Sequence, residues 1–266
     1  MGGAERNARK KKQQQMAAKS VAAARGTSGS PDRGKIIIGV VVVAVLAAGV
    51  IGVVLLNRPS EPKALAPAPN LKTLSVPVQR QADATVLVGK DTAKVTVDVY
   101  EDFLCPICGT FEEKYGDQLR QHVEAGDLKI RYHVLPLLVR LSDPEGYSRD
   151  SANAAVCAAD AGKFPEYHDS LYASQPEENG PGYTVAQLVK LGADLGITGD
   201  TFKSCVESGT YHQALEADLD KADNTPHLQA ERSDGSKGFQ GTPSVAVGDK
   251  LISIDNENWI SDLLKA

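Results

Sequence analysis

Cys105-Pro106-Ile107-Cys108 is the segment of this chain best suited to chemistry. It follows an alternating apolar stretch, Val95, Val97 and Val99, and opens a segment of helical composition. Two thiols set two residues apart at a strand-to-helix junction can close a small disulfide and pass it to another protein. Unpaired backbone N–H groups at a helix N-terminus, together with the helix dipole, favour a thiolate on the first sulfur. Pro106 suits the first helical turn, where φ is pre-set and no N–H is required.

The remaining cysteines, Cys157 and Cys205, stand alone in the sequence. Pairing the adjacent two leaves Cys157 with Cys205. The competing reading of all four is a zinc site, but a zinc ribbon would want a second Cys-x-x-Cys, and these two are isolated and far apart.

The elements that must position the dithiol can be read around it. Residues 94–100 (KVTVDVY) alternate cleanly and predict a strand, and residues 83–89 predict a shorter one. From Cys108 to about Ala125 the spacing of Phe111, Tyr115, Leu119 and Val123 predicts a helix, ended by Gly126-Asp127. Residues 128–135 (LKIRYHVL) alternate again. Strand, helix and strand in that order form a βαβ unit, which favours parallel pairing through a right-handed crossover.

From about 147 to 224 the composition turns helical. It includes an Ala-rich run at 152–161 and a capping box at Thr184-Val185-Ala186-Gln187, with further helices expected at 201–207 and 211–222. Short strands return at 244–247 and 250–254, linked by Gly248-Asp249, a hairpin signal. A helix over 258–265 closes the chain, with Trp259, Leu263 and Leu264 facing inward.

Ahead of all this, residues 36–56 are an uninterrupted apolar run long enough to cross a bilayer as a helix. The segment before the run carries nine basic and two acidic residues, a net of +7; against the whole chain's −5, that leaves −12 for the rest. The positive-inside rule then places the N-terminus in the cytosol and everything after 57 outside the cell membrane. The basic run from Arg9 to Lys12 also has the composition of a nucleic-acid patch, but beside an apolar span it sets topology, and no nucleic-acid partner is expected. Ala64-Leu65-Ala66 has the form of a signal-peptide cleavage site; the length of the apolar run favours a retained anchor. The expected organisation is a basic cytosolic tail at 1–35, a transmembrane anchor at 36–56, a Pro-rich linker at 57–71 and a folded domain at 72–266. All four cysteines then lie in the exported part, where disulfides persist.

Residues 100–108 (YEDFLCPIC) and Gly241-Thr242-Pro243-Ser244-Val245, with a helical insertion between them and the second cysteine pair, resemble the thioredoxin superfamily. The resemblance is most marked to the membrane-anchored DsbA-like thiol oxidoreductases of actinobacteria, and covers about residues 72–266. It implies an α/β thioredoxin-like fold with an inserted helical subdomain, preceded here by a single N-terminal transmembrane helix. It also implies roles: Cys105 as the exposed nucleophile, Cys108 as the buried resolving thiol, and Pro243 as a cis-proline facing the disulfide. Thr242 would present its backbone to an extended substrate segment. A proline cannot donate to a ladder, so the strand end beside it stays open for such a peptide. The implied partners are unfolded or reduced exported proteins and a membrane reoxidase of the vitamin K epoxide reductase type. Neither a metal nor an organic cofactor is needed.

Two features depart from that pattern. Many thioredoxin-like proteins keep a buried acid six residues before the first cysteine, where this chain has Val99. Asp98, Glu101 and Asp102 are its neighbours. Glu101 or a water could substitute, but solvated surface carboxylates are the plainer expectation, and no catalytic acid is assigned. Ile107 adds no charge between the cysteines, and none of the five histidines is near them in sequence. Phe103, Leu104 and Ile107 could form an apolar contact patch, with Phe103 equally suited to the core. The expected activity is thiol–disulfide exchange that oxidises exported proteins. A reductase or isomerase of the same fold, and a redox-inactive scaffold stapled by two disulfides, are the alternatives.

Overall fold

The strand leading into the dithiol is buried on both faces, and this decides the layering. The computed structural model describes residues 64–71, 73–231 and 233–265. The expected tail and anchor lie outside the described residues. Among the described residues no helix is long and apolar enough to cross a membrane.

The order is β1 (Val78–Arg80), β2 (Val86–Val88), β3 (Val95–Glu101), α1 (Pro106–Ala125) and β4 (Leu128–Val134), followed by five helices. These are α2 (Tyr147–Asp160), α3 (Phe164–Ala173), α4 (Val185–Asp194), α5 (Asp200–Ser208) and α6 (His212–Asp223). A short hairpin of β5 (Gln229–Glu231) and β6 (Lys237–Phe239) leads to β7 (Ser244–Val247), β8 (Lys250–Ile252) and α7 (Trp259–Lys265). The main sheet runs β1-β2-β4-β3-β7-β8. β3 pairs parallel with β4 and antiparallel with β7, so it lies in the middle of the sheet. The βαβ unit is thus present, and the helical segment α2–α6 separates it from the β7–β8 hairpin.

Alternation along β3 divides its side chains between two cores. Val97 and Val99 join the large apolar cluster that includes Phe111 and Leu119 of α1, Ile130 of β4 and most of α2. Tyr100 joins a smaller cluster on the other face with Leu135, Ala222, Leu228 and Ala246. On that second face Asp98 accepts from Arg131 at 2.8 Å, and His133 bridges Asp98 (3.3 Å) and Asp218 of α6 (2.8 Å). The His133 ring stacks on Tyr100, centroids 4.0 Å apart.

Several local signals fold as their chemistry dictates. Phe111, Tyr115, Leu119 and Val123 are the buried stripe of α1, and Gly126 ends it in the left-handed region at φ 88°. Thr184 and Gln187 form the reciprocal capping box of α4. The Ala-rich α2 is buried on every side, because small side chains let α3, α4, α5, α6 and β1 approach it together. Cys157 of α2 is bonded to Cys205 of α5, S–S 2.02 Å. Beside that bond, the Asn153 side chain accepts from Tyr211 N (2.8 Å) and donates to Val206 O (3.3 Å), tying the α5–α6 junction to α2.

Two segments behave differently from the expectation. The last residues of the Pro-rich stretch dock on the domain: Leu65 packs against the large core and Ala68 N donates to Ser170 Oγ at 3.0 Å. Helix α3, with Glu166, His168 and Ser170 buried, was not among the expected elements, although Pro165 at its start and Phe164, Tyr167 and Leu171 at i, i+3 and i+7 signal it.

Candidate active site

Cys105 is the N-cap of α1 and Pro106 opens the helix. Both thiols are free, so the structure shows the dithiol form. Cys108 is fully buried, and Cys105 is only 6% exposed, less open than expected. The cause is the loop that carries Thr242, whose carbonyl oxygen lies 3.4 Å from the Cys105 sulfur. The Thr242–Pro243 peptide bond is cis. The fold therefore brings Cys105, Cys108, Thr242 and Pro243 to one place, at the C-terminal end of β3 and the start of β7. Cys157 and Cys205 sit within the helical segment.

The two thiols are electrostatically unlike. The Cys105 pKa is lowered to about 6. The largest cause is the hydrogen bond from the Cys108 thiol; Thr242 and the backbone N–H groups of Cys108 and Ile107 act the same way, against desolvation. Burial pushes the Cys108 thiol well up, and the charges of Cys105 and Glu101 add to this.

The surroundings of the dithiol correct two sequence expectations. Asp98, Glu101 and Asp102 are buried rather than solvated, because each has a tertiary partner. Asp102 accepts from Leu104 N (2.8 Å), Leu138 N (2.8 Å) and Ser148 Oγ (2.6 Å), which fixes the turn between β3 and α1 against the β4–α2 loop. Desolvation still raises its pKa to about 6. Phe103 and Leu104 are core residues with no exposure, Phe103 packing on His168 and Tyr172, and so form no surface patch. Only Ile107 of the three projects to solvent, at 64% exposure.

Glu101 lies on the same face of β3 as Val99, two residues further along, which moves a carboxylate about 7 Å down the strand. Its Oε1 is 2.6 Å from His168 Nε2, while Oε2 is buried without a partner. The other imidazole nitrogen, Nδ1, is 3.3 Å from Asp169 Oδ1, which also accepts from Arg120 at 2.7 Å. Glu112 completes the group from α1, its pKa raised to about 8 by desolvation. The 2.6 Å contact is that of a hydrogen-bonded pair; two ligands of one tetrahedral zinc ion at ~2.1 Å each would stand roughly 3.4 Å apart. A cleft of about 810 Å³ opens beside the dithiol, lined among others by Pro106, Gly109, Glu112, Arg120, Asp169 and Gln175. Gln175 Nε2 donates to the carbonyls of Phe103 (3.1 Å) and Cys105 (2.9 Å), clamping the turn from outside.

His168, Glu112 and Gln175 were not found by sequence reasoning. Glu112 had a signal, since it is four residues after Cys108 and so on the same helical face. His168 had one too, standing four residues after Phe164 on the face shared with Tyr167 and Leu171, whereas Gln175, beyond the end of α3, had none.

A thioredoxin family model (Thioredoxin_4) matches residues 81–266. The chain belongs to the thioredoxin family. Within that family it is DsbA-like. The oxidised DsbA of Mycobacterium tuberculosis superposes with a TM-score of 0.57 at 26% identity, covering 68% of this chain and 91% of that one. Disulfide bond formation protein D of Bacillus subtilis is 26% identical over 168 residues, 62% of this chain and 68% of that protein. Serine/threonine-protein kinase PknE of Mycobacterium tuberculosis is 30% identical over 213 residues, 78% of this chain. The chain spans only 36% of the kinase. The thioredoxin fold accounts for the position of Thr242-Pro243 opposite the dithiol, and the helical insertion is what brings α3 and His168 up to β3.

Proposed function

We propose that this chain is an exported, membrane-tethered thiol:disulfide oxidoreductase that introduces disulfides into exported proteins. The observation that carries the reading is the asymmetry of the dithiol: Cys105 is held near pKa 6 at a helix N-terminus, and Cys108 is buried with its pKa raised. In the oxidised enzyme a substrate thiolate attacks the Cys105 sulfur. A bond forms between substrate and Cys105, the Cys105–Cys108 bond breaks, and Cys108 leaves with the electron pair and takes up a proton. A second substrate thiolate then attacks the first substrate sulfur, and Cys105 leaves as the thiolate. The substrate loses two electrons and the enzyme gains two. A low Cys105 pKa makes it the better leaving group and stabilises the reduced enzyme, which is the property of an oxidant.

Exposed Ile107 and the half-buried Gly241, Thr242 and Pro243 supply a surface for an extended substrate segment. The apolar run at 36–56 serves as the anchor, and reoxidation falls to a membrane partner of the vitamin K epoxide reductase type. The test is to mix the oxidised full chain with a reduced two-cysteine peptide, and separately the reduced chain with insulin, and to equilibrate the dithiol with glutathione buffers. Fast peptide oxidation with a reduction potential well above that of glutathione supports the oxidase. Efficient insulin reduction with a low potential makes it a reductase, and inertness in both makes it a scaffold.

A further inference from the structure

When Cys108 leaves as a thiolate it does so in a fully buried position that raises its pKa, so a proton must reach it at once. The family's usual acid position is Val99, which offers none. The structure instead holds a chain of hydrogen-bonding groups that runs from Glu101, four residues before Cys105 at the end of β3, through His168 to the cleft. Glu101 has no exposure, and its charge acts on Cys108. Its Oε1 is bonded to His168 Nε2 at 2.6 Å, and His168 Nδ1 faces Asp169 Oδ1 at 3.3 Å. Asp169 has 16% of its side chain exposed, pairs with Arg120 and lines the cleft. The imidazole thus joins a sealed carboxylate to one that meets water. The unpartnered Oε2 of Glu101 leaves that carboxylate with an oxygen free for a further proton.

We propose that Glu101, His168 and Asp169 form a proton route between the Cys108 sulfur and solvent, with Glu101 as the group that exchanges the proton with Cys108 and His168 as the positioning residue behind it. This deepens the oxidoreductase reading and rests on it. On mixed-disulfide formation Glu101 takes a proton from His168 Nε2 and passes it on to the Cys108 thiolate, and His168 is recharged at Nδ1 from the Asp169 side. When the reduced enzyme is reoxidised, Cys108 attacks and the same proton travels outward. The charged and titratable groups around the imidazole are Glu101 from β3, Glu112 and Arg120 from α1, Tyr132 from β4, and Asp169 and Tyr172 from α3. Arg120 balances Asp169, and Glu112, with its raised pKa, adds no full negative charge at neutral pH.

The experiment separates capture from resolution. The reduced full chain is mixed with glutathione disulfide, quenched in acid and followed by intact mass. Capture, the attack of Cys105, gives the mixed disulfide; resolution, the attack of Cys108, removes it. In Glu101→Gln and His168→Gln the ratio of resolution to capture rates is expected to fall tenfold or more at pH 6–7, so that mixed disulfide accumulates. It should then recover about tenfold per pH unit as hydroxide takes over. Glu101→Asp should restore part of the loss. Folded variants that resolve at the unsubstituted rate and pH profile overturn the route. Failure of capture in the unsubstituted chain would instead sink the oxidoreductase reading. Should the variants not fold, the unsubstituted protein decides: the ¹⁵N-imidazole titration of His168 is expected to differ between dithiol and disulfide forms, and identical titrations overturn the proposal.

Discussion

The Cys105 sulfur lies 3.4 Å from the carbonyl oxygen of Thr242, a residue 137 positions further along the chain. In the dithiol form the Cys105 thiol can donate to that oxygen. The contact places Cys105 against the segment that leads into β7, whose ladder to β3 begins at Ser244.

The first expectation concerns thiol reactivity. With Cys105 near pKa 6, alkylation of the reduced protein by iodoacetamide should be half-maximal close to pH 6 and should label Cys105 alone while the protein is native. Peptide mapping by mass spectrometry reads the site. Comparable labelling of Cys108 below pH 8 would contradict the burial difference. Cys108→Ser should in turn trap Cys105 in mixed disulfides with reduced exported proteins.

Gly109 offers a sharper probe of the clamp. A Cβ there would clash with Gln175 Oε1, so Gly109→Ala has to shift the amide whose Nε2 holds the Phe103 and Cys105 carbonyls. Loss of two hydrogen bonds should cost about 1–3 kcal/mol in urea denaturation. It should also raise the Cys108 labelling rate. An unchanged midpoint with unchanged labelling would show that Gln175 merely covers the turn.

Ile107 separates binding from stability. At 64% exposure it contributes little to the fold, so Ile107→Ser should alter the melting temperature negligibly. The KM for peptide oxidation should rise several-fold with kcat nearly unchanged. A fall in kcat with KM constant would mean that Ile107 tunes the dithiol rather than touching substrate.

Stability should fall as pH rises. Burial raises Asp102 to about 6 and Glu112 to about 8, and hydrogen bonds to Asp218 and Asp98 outweigh desolvation to raise His133. The folded protein therefore binds more protons than the unfolded chain between about pH 4 and 8, and unfolding free energy declines with pH in that window. The His133 contribution is complete below about pH 6.5 and is lost as pH passes its folded pKa. Asp102 alone contributes a change on the order of 3 kcal/mol. Cys105 has the opposite sign: lowered to about 6, it stabilises the dithiol form increasingly from pH 6 to about 8.5. Urea titrations of the disulfide form should slope downward across pH 4.5–8, and those of the dithiol form less so above pH 6. A disulfide form that gains stability over that range would refute the assignment.

The Cys157–Cys205 bond spans 48 positions and joins a buried residue of α2 to a half-buried one of α5. In the chain-entropy model it stabilises by roughly 4 kcal/mol. Replacing both cysteines by serine should lower the melting temperature by several degrees while peptide oxidation persists below the new midpoint. Abolished turnover in a folded double variant would make the pair part of a relay.

Much of this was legible in the residues themselves. The alternation of Val95, Val97 and Val99 and the stripe of Phe111, Tyr115, Leu119 and Val123 are local patterns, and they fold as β3 and α1. The Thr184–Gln187 box and the Gly248 turn carry their own geometry in two to four residues. Helix α3 carries such a stripe in Phe164, Tyr167 and Leu171, but Glu166, His168 and Ser170 are buried beside it and dilute the contrast between its faces; the partners of His168 and Ser170 come from distant segments. The same holds for the acids after β3. Alternation puts Glu101 beside Val99, but whether a carboxylate there is wet or sealed depends on a histidine 67 positions later. β5 and β6 are three residues each, too short for any period to show.

The bond between Cys157 and Cys205 has a consequence for how such a protein comes into being. Under the proposed oxidase reading, a chain that hands disulfides to others also carries one of its own in its helical segment, and so is a substrate for the reaction it performs. Copies already folded could then close the Cys157–Cys205 bond in later ones, and a copy still lacking that bond would be less stable yet able to act.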